Sequence, residues 1–324
     1  IGFLSFGRYS EQEGSPVATA RDALHQTIEL AVEAEKLGVE TAWVRSHHFE
    51  MSFSSPMPLL TAMASRTESI QVGTGVIDLR YENPLHLAEE AATTDLLCDG
   101  RLQLGVSRRT HSMNHEGPTA FVTQPTASSV SIEEAWVRAQ QFRNAVAGVP
   151  VARSRYATKH GLPEDLPVLP SSPRLLDRIW WGANTYDSAL WAGSAGLNLM
   201  TSTYLLDDDG RPLHVQQADF MRGFRQAHRT SDQATGGRTQ VARTVIPLVN
   251  EEDHRHFGAA RDERETFSYL DNQVARVAPM ITGSFDEVVR RLRQDEAVQE
   301  ADQVMFPLPS ELGVDYNVTL LESL

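Results

Sequence analysis

One stretch, residues 69–109, limits the possible folds more than any other part of the chain. It reads SIQVGTGVIDLRYENPLHLAEEAATTDLLCDGRLQLGVSRR. Ile70, Val72, Val76 and Ile77 make an apolar, β-branched run that ends near Asp78, as a strand does. Pro84 opens a helical pattern carried by Leu85, Leu87, Ala88, Ala91, Ala92 and Leu96, and Gly100 stops it. A second apolar run, 102–106, follows at once. Strand, helix, strand over about forty residues is a βαβ unit, and chained units of this kind build parallel sheets. Ser107, Arg108 and Arg109 come next, at the carboxyl end of a strand, where α/β proteins place their ligands.

The same alternation runs through the chain. Strands are expected near 1–6, 41–44, 70–78, 102–106, 178–182, 197–201, 241–249 and 303–306. Helices are expected at 18–37, 59–65, 84–100, 132–146, 186–193, 215–228, 252–272 and 285–292, the last with Ser284 as N-cap. Eight strands alternating with helices fit a (β/α)8 TIM barrel in one domain, 1–324. A doubly wound sheet would need a glycine-rich fingerprint after the first strand, and Phe6-Gly7-Arg8 is not one. Residues 110–177, rich in breakers such as Gly117-Pro118 and Gln124-Pro125, read as an insertion between strands four and five that covers the carboxyl-end rim.

Charge narrows the function. The formal net charge of −14 opposes nucleic-acid and anionic-membrane binding. A single cysteine, Cys98, excludes an internal disulfide and sits in an apolar helix run as a small hydrophobe. No run reaches membrane-spanning length and no signal peptide is visible, so a cytoplasmic setting is the default expectation. The chain opens directly on an apparent strand, which suggests that residues precede it.

In a barrel, residues just past each strand line one rim. Gly182-Ala183-Asn184-Thr185 leads straight into a helix at Tyr186, and small polar side chains beside open helical N–H groups make an anion site that Arg108 would complete. The competing reading is an ordinary N-cap beside a solvated arginine. His47 and His48 follow strand two; they fit either a proton-handling group or one buried and one surface histidine, because alternation sends only one inward. His111 and His115 lack a third ligand and the His-Glu-x-x-His pattern, so no metal is expected.

Ser46-His47-His48-Phe49, Val72-Gly73-Thr74-Gly75 and Asp99-Gly100-Arg101-Leu102-Gln103-Leu104-Gly105-Val106-Ser107-Arg108 resemble, in order and spacing, the bacterial luciferase-like monooxygenases. The resemblance extends through 181–200 and 282–288, so it covers nearly the whole chain. It implies a (β/α)8 barrel that uses flavin. It places His47 as the base or proton donor, and Gly75-Val76 as a non-prolyl cis peptide against the flavin ring. Ser107 falls near the reactive ring edge, and Arg108, Asn184, Thr185 and Ser188 match the phosphate contacts. Ser46 departs from the family's usual Glu, Arg109 from its Gly, and Asn184 from an acidic residue.

The resemblance therefore implies an FMN-dependent monooxygenase that takes reduced FMN from a separate flavin reductase and uses O2. A small apolar substrate such as an aldehyde or ketone fits an apolar pocket expected from Phe49, Met51, Phe53 and Met57. Two alternatives stay open: an F420-dependent oxidoreductase of the same fold, and a non-catalytic flavin-binding subunit. Relatives commonly dimerise, and Leu59, Leu60, Ala62, Met63 and Ala64 form a candidate pairing surface. Asn250-Glu251-Glu252 leads directly into a helix, so the long lid of true luciferases is not expected after strand seven.

Overall fold

The computed structural model describes residues 1–12, 15–108, 121, 132–154, 164–259, 264–270 and 273–324. Eight parallel strands close a barrel: β1 (Gly2–Ser5), β2 (Thr41–Val44), β3 (Gln71–Asp78), β4 (Leu102–Ser107), β5 (Ile179–Ala183), β6 (Asn198–Thr201), β7 (Thr239–Ala242) and β8 (Gln303–Leu308). Each pairs with the next in sequence, and β8 closes on β1 with Gly2 opposite Met305. Around it run α1 (Ala20–Lys36), α2 (Pro56–Ala64), α3 (Pro84–Leu97), α4 (Ile132–Val146), α5 (Tyr186–Ser194), α6 (Leu213–Arg229), α7 (Glu251–Phe257), α8 (Phe285–Gln294), α9 (Glu296–Glu300) and α10 (Gly313–Glu322). The expected TIM barrel is the observed fold.

Local chemistry sets the boundaries. Thr19 and Asp22 form a reciprocal capping box at α1, and Ser284 does the same with Glu287 at α8, each cap being worth about 1 kcal/mol. Asn83 caps α3 ahead of Pro84. Gly100, at φ +78°, turns the chain out of α3 into β4 in a conformation that other residues avoid.

Strand parity then divides the core. Outward residues such as Phe3, Val44, Val72 and Leu104 pack beneath the helices. Inward residues fill the barrel, where Trp43 and Trp180 meet edge to face at 5.8 Å. Gly73 makes room for them, since a Cβ there would lie 2.7 Å from the Trp43 ring. The Trp180 indole donates to Gln103 at 2.7 Å, while Gln240 donates to Gln303 and Gln303 to Thr41. This plug closes the amino half of the barrel. Leu4, Met200, Ala242 and Met305 form the next layer, and above it the barrel is open.

Four expectations are corrected. The run 241–249 is not one strand: β7 ends at Ala242, and Val245–Pro247 pairs separately with Ile281–Gly283. Between them Arg243 is buried against Asp295, with Nε to Oδ2 at 2.6 Å. The helix expected over 252–272 stops at Phe257. Thr266–Leu270 and Gln273–Val277 form an antiparallel hairpin instead, and its second strand also pairs with Tyr204–Leu205. The alternating Phe267, Tyr269 and Val274 favour extended backbone over helix there. Leu59, Leu60, Met63 and Ala64 are buried within the chain's own core, so they present no open pairing surface. Phe53 and Met57 are likewise core, whereas Phe49 and Met51 are exposed, so the four do not form one pocket.

Within 110–177, α4 packs against α3 and stacks Trp136 on Trp191 of α5 at 5.2 Å, in the outer ring of helices. Arg109, the tract from His111 to Glu116 and, in the expected rim cover, residues 110–120, 122–131 and 155–163 lie outside the described residues.

Candidate active site

At the carboxyl ends of the strands, one cavity enters the barrel and encloses about 610 Å³ including its mouth. Period-two alternation explains its lining. Along β2, Thr41 and Trp43 face inward, and Arg45 is the next residue of that parity. Leu4 and Phe6 arrive the same way from β1, Ser107 from β4, Gly182 and Asn184 from β5, and Met305 and Pro307 from β8.

Gly75, Val76, Ser107, Arg108 and Asn184, all anticipated as cofactor residues, line this cavity together. The Gly75–Val76 peptide is cis. Ser46 donates to the Val76 carbonyl at 3.5 Å, which ties the end of β2 to this part of β3. The Ser107 hydroxyl donates to the Gly182 carbonyl at 2.8 Å and so bridges β4 to β5. Asn184 is hydrogen-bonded with the Ser202 hydroxyl at 2.7 Å. Arg108 is half-buried and gives that side of the cavity its positive charge.

Thr185 and Ser188 stand just behind the wall. Thr185 caps α5 by accepting from the Ser188 N–H, and the Ser188 hydroxyl accepts from the Trp181 indole at 2.8 Å. The Asp207 carboxylate accepts from the Tyr186 N–H at 2.8 Å. The amino end of α5 thus already holds an acidic group of the chain itself.

His47 is buried at 6% exposure, beyond β2, and is not part of the cavity lining. Its backbone N–H donates to Phe53, and its ring Nδ1 lies 2.5 Å from Glu50 Oε2. A carboxylate at Nδ1 fixes the proton there and leaves Nε2 as the basic nitrogen. Glu50 was not anticipated in that role, although its three-residue spacing from His47 was visible. Arg45 was missed as well, and counting strand parity outward from Trp43 would have found it. Burial pushes its guanidinium below the ordinary value.

His48, Phe49, Met57, Tyr81, Glu82 and Phe121 line a separate outer cleft. Among the described residues no cluster of three or more His, Cys, Asp or Glu has metal-binding geometry, and no helix is long and apolar enough to cross a membrane.

With this geometry in place, comparison with known proteins identifies the family. The profile described as luciferase-like monooxygenase matches residues 2–253. The chain belongs to the luciferase-like monooxygenase family. One relative, the oxygenase component of a flavin-dependent trigonelline monooxygenase from Acinetobacter baylyi, is 27% identical over 214 residues, 64% of this chain and 55% of its own length. The chain thus matches little more than half of that relative. Among solved structures, the oxygenating constituent of the 3,6-diketocamphane monooxygenase of Pseudomonas putida, in complex with FMN, superposes with a TM-score of 0.67 at 14% identity. That match covers 99% of this chain and 96% of that one. The F420-dependent tetrahydromethanopterin reductase of Methanopyrus kandleri gives 0.65 at 15% identity, with the same coverage of both chains. At these identities the structures speak for the shared fold of this luciferase-like chain.

Proposed function

We propose that this chain is the oxygenase of a two-component, FMN-dependent monooxygenase, fed with reduced FMN by a separate flavin reductase. The observation that carries the reading is the central cavity's division into a polar end and an apolar body. Arg108 and Asn184 suit a phosphate, while Leu4, Val76, Met200, Ala242 and Met305 suit a flat apolar ring. The Thr185 and Ser188 hydroxyls accept from the Ser188 N–H and the Trp181 indole, and an accepting hydroxyl still has its O–H to donate to a phosphate. The named trigonelline relative, an oxygenase component, supports the partnership with a reductase.

Bound reduced flavin supplies the electrons that activate O2. The chain's share is to hold the ring, shelter it from water and manage protons. Ser107 and the Gly75-Val76 backbone flank the ring position; His47, fixed by Glu50, lies outside the cavity lining and is carried as the proton-handling residue by the family resemblance alone. The substrate is a small, largely apolar organic molecule.

The fold also houses F420 enzymes, so F420 is the competing cofactor. Incubation of the chain with a flavin reductase, NADH, FMN and ¹⁸O₂ is expected to place ¹⁸O in one product from a panel of aldehydes and cyclic ketones. Substrate turnover that consumes reduced F420, needs no O2 and carries no label would overturn the FMN reading.

A further inference from the structure

A second chamber opens beside the central cavity, and Phe6, Thr203 and Pro307 belong to the walls of both. Ile246, Phe257 and Met280 make much of its remaining wall apolar. Arg45 lines the central cavity and Arg8 lines the second chamber. Their guanidinium carbons lie 5.1 and 5.4 Å from the centre of the same Phe6 ring.

These two cations differ from the arginines that are paired with buried or half-buried carboxylates. Arg80, Arg178 and Arg243 each hold a carboxylate, at 2.6 Å in every case. Among the described residues neither Arg8 nor Arg45 makes an ion pair, in a chain with a formal net charge of −14. Tyr204 and Glu50 act on Arg45 from a distance, and Glu50 is engaged with His47. Glu311 lines the second chamber without coming within ion-pair distance of Arg8. Two like charges gathered at one aromatic ring disfavour each other, and an anion between them relieves both. A planar guanidinium matches a carboxylate through paired N–H donors, and the aromatic face holds it in place.

We propose that Arg8 and Arg45 form a carboxylate-binding subsite, and that the organic substrate carries a carboxylate held there with its apolar body against Phe6, Ile246, Phe257 and Met280. The proposal rests on the flavin reading for the word substrate. The phosphate residues Arg108 and Asn184 follow β4 and β5, whereas Arg8 and Arg45 follow β1 and β2, so the proposal gives the two pairs of strand ends different groups to hold.

The test is calorimetric titration of the purified chain with benzoate and with its neutral isostere benzamide, alongside a separate titration with FMN. Benzoate is expected to bind roughly tenfold more tightly than benzamide, the range for charge-assisted hydrogen bonds. Arg45→Met and Arg8→Met should each remove most of that preference while leaving benzamide affinity within about twofold, and Arg8→Met, at a residue outside the central cavity lining, should leave FMN affinity within about twofold as well. Equal binding of benzoate and benzamide, or no benzoate binding at all, would overturn the subsite. So would a benzoate preference lost in Arg108→Ala but kept in Arg45→Met, or FMN binding lost in Arg8→Met. Failure of FMN to bind the unaltered chain would sink the flavin reading alone, since the benzoate titration needs no flavin.

Discussion

At the scale of single residues, the α5 amino end shows how a familiar motif can be altered by one neighbour. The Asn184–Ser188 stretch has the small polar residues of a phosphate loop, but Asp207 sits on the Tyr186 N–H. A carboxylate there repels an incoming phosphate and competes for the same donors. Asp207→Asn is therefore expected to tighten FMN binding by roughly two- to fivefold, the span of a single helix-terminus charge, measured by flavin fluorescence; unchanged or weaker binding would argue against a phosphate at this helix end. Glu82 gives a second residue-level expectation. Burial, with Glu90 and Asp78 nearby, pushes its carboxyl up to about 7. The folded chain holds this proton while the unfolded chain has lost it from about pH 4.5 upward. The associated stability is full below pH 4.5, falls as pH rises to about 7, and is constant above that. Glu82→Gln should flatten that fall in thermal melts between pH 5 and 8; a slope identical to that of the unaltered chain would contradict it.

At the scale of elements, the floor of the barrel depends on one acid. Asp95, buried on α3, accepts from Arg178 just before β5 at 2.6 and 3.0 Å and from the Ser172 hydroxyl at 2.6 Å. It also accepts from the Leu102 N–H at the start of β4. It fixes a helix and two strand entries together. Asp95→Ala strands a largely buried guanidinium and is expected to cost about 3 kcal/mol in urea unfolding, with FMN affinity preserved because the site lies at the other end of the strands. A cost below about 0.5 kcal/mol, the level of an ordinary surface change, would show that the pair is not structural.

Eight strands and most helices were legible because hydrophobic period and caps act locally: Pro84 and Asn83 start α3, and Gly100 ends it, whatever packs around them. The segment after α7 was not legible. Its polar residues mimic a helix face, and its hairpin is selected by pairing with Tyr204–Leu205, more than sixty residues earlier in the chain. Sequence spacing carries no record of such a partner. The same holds for function: residues at strand ends were readable as a rim, whereas the Glu50 contact of His47 and the shared ring of Arg8 and Arg45 exist only in three dimensions.

At the scale of the whole molecule, the barrel separates stability from chemistry. Tryptophan and glutamine layers plug the amino half, leaving the carboxyl half free to form a cavity with a cationic wall in an acidic protein. The net negative charge disfavours polyanions in bulk, so a small anionic cofactor must be captured by local contacts rather than by long-range attraction. Arg108 is the residue proposed for that capture. The most direct measurement is therefore a fluorescence titration of FMN and of riboflavin, which lacks the phosphate, against the unaltered chain and Arg108→Ala. FMN should bind the unaltered chain at least about tenfold more tightly than riboflavin does, and Arg108→Ala should erase that difference while leaving riboflavin affinity intact. Equal affinities for FMN and riboflavin in the unaltered chain, or a preference for FMN that survives in Arg108→Ala, would contradict a phosphate-anchored flavin in this barrel.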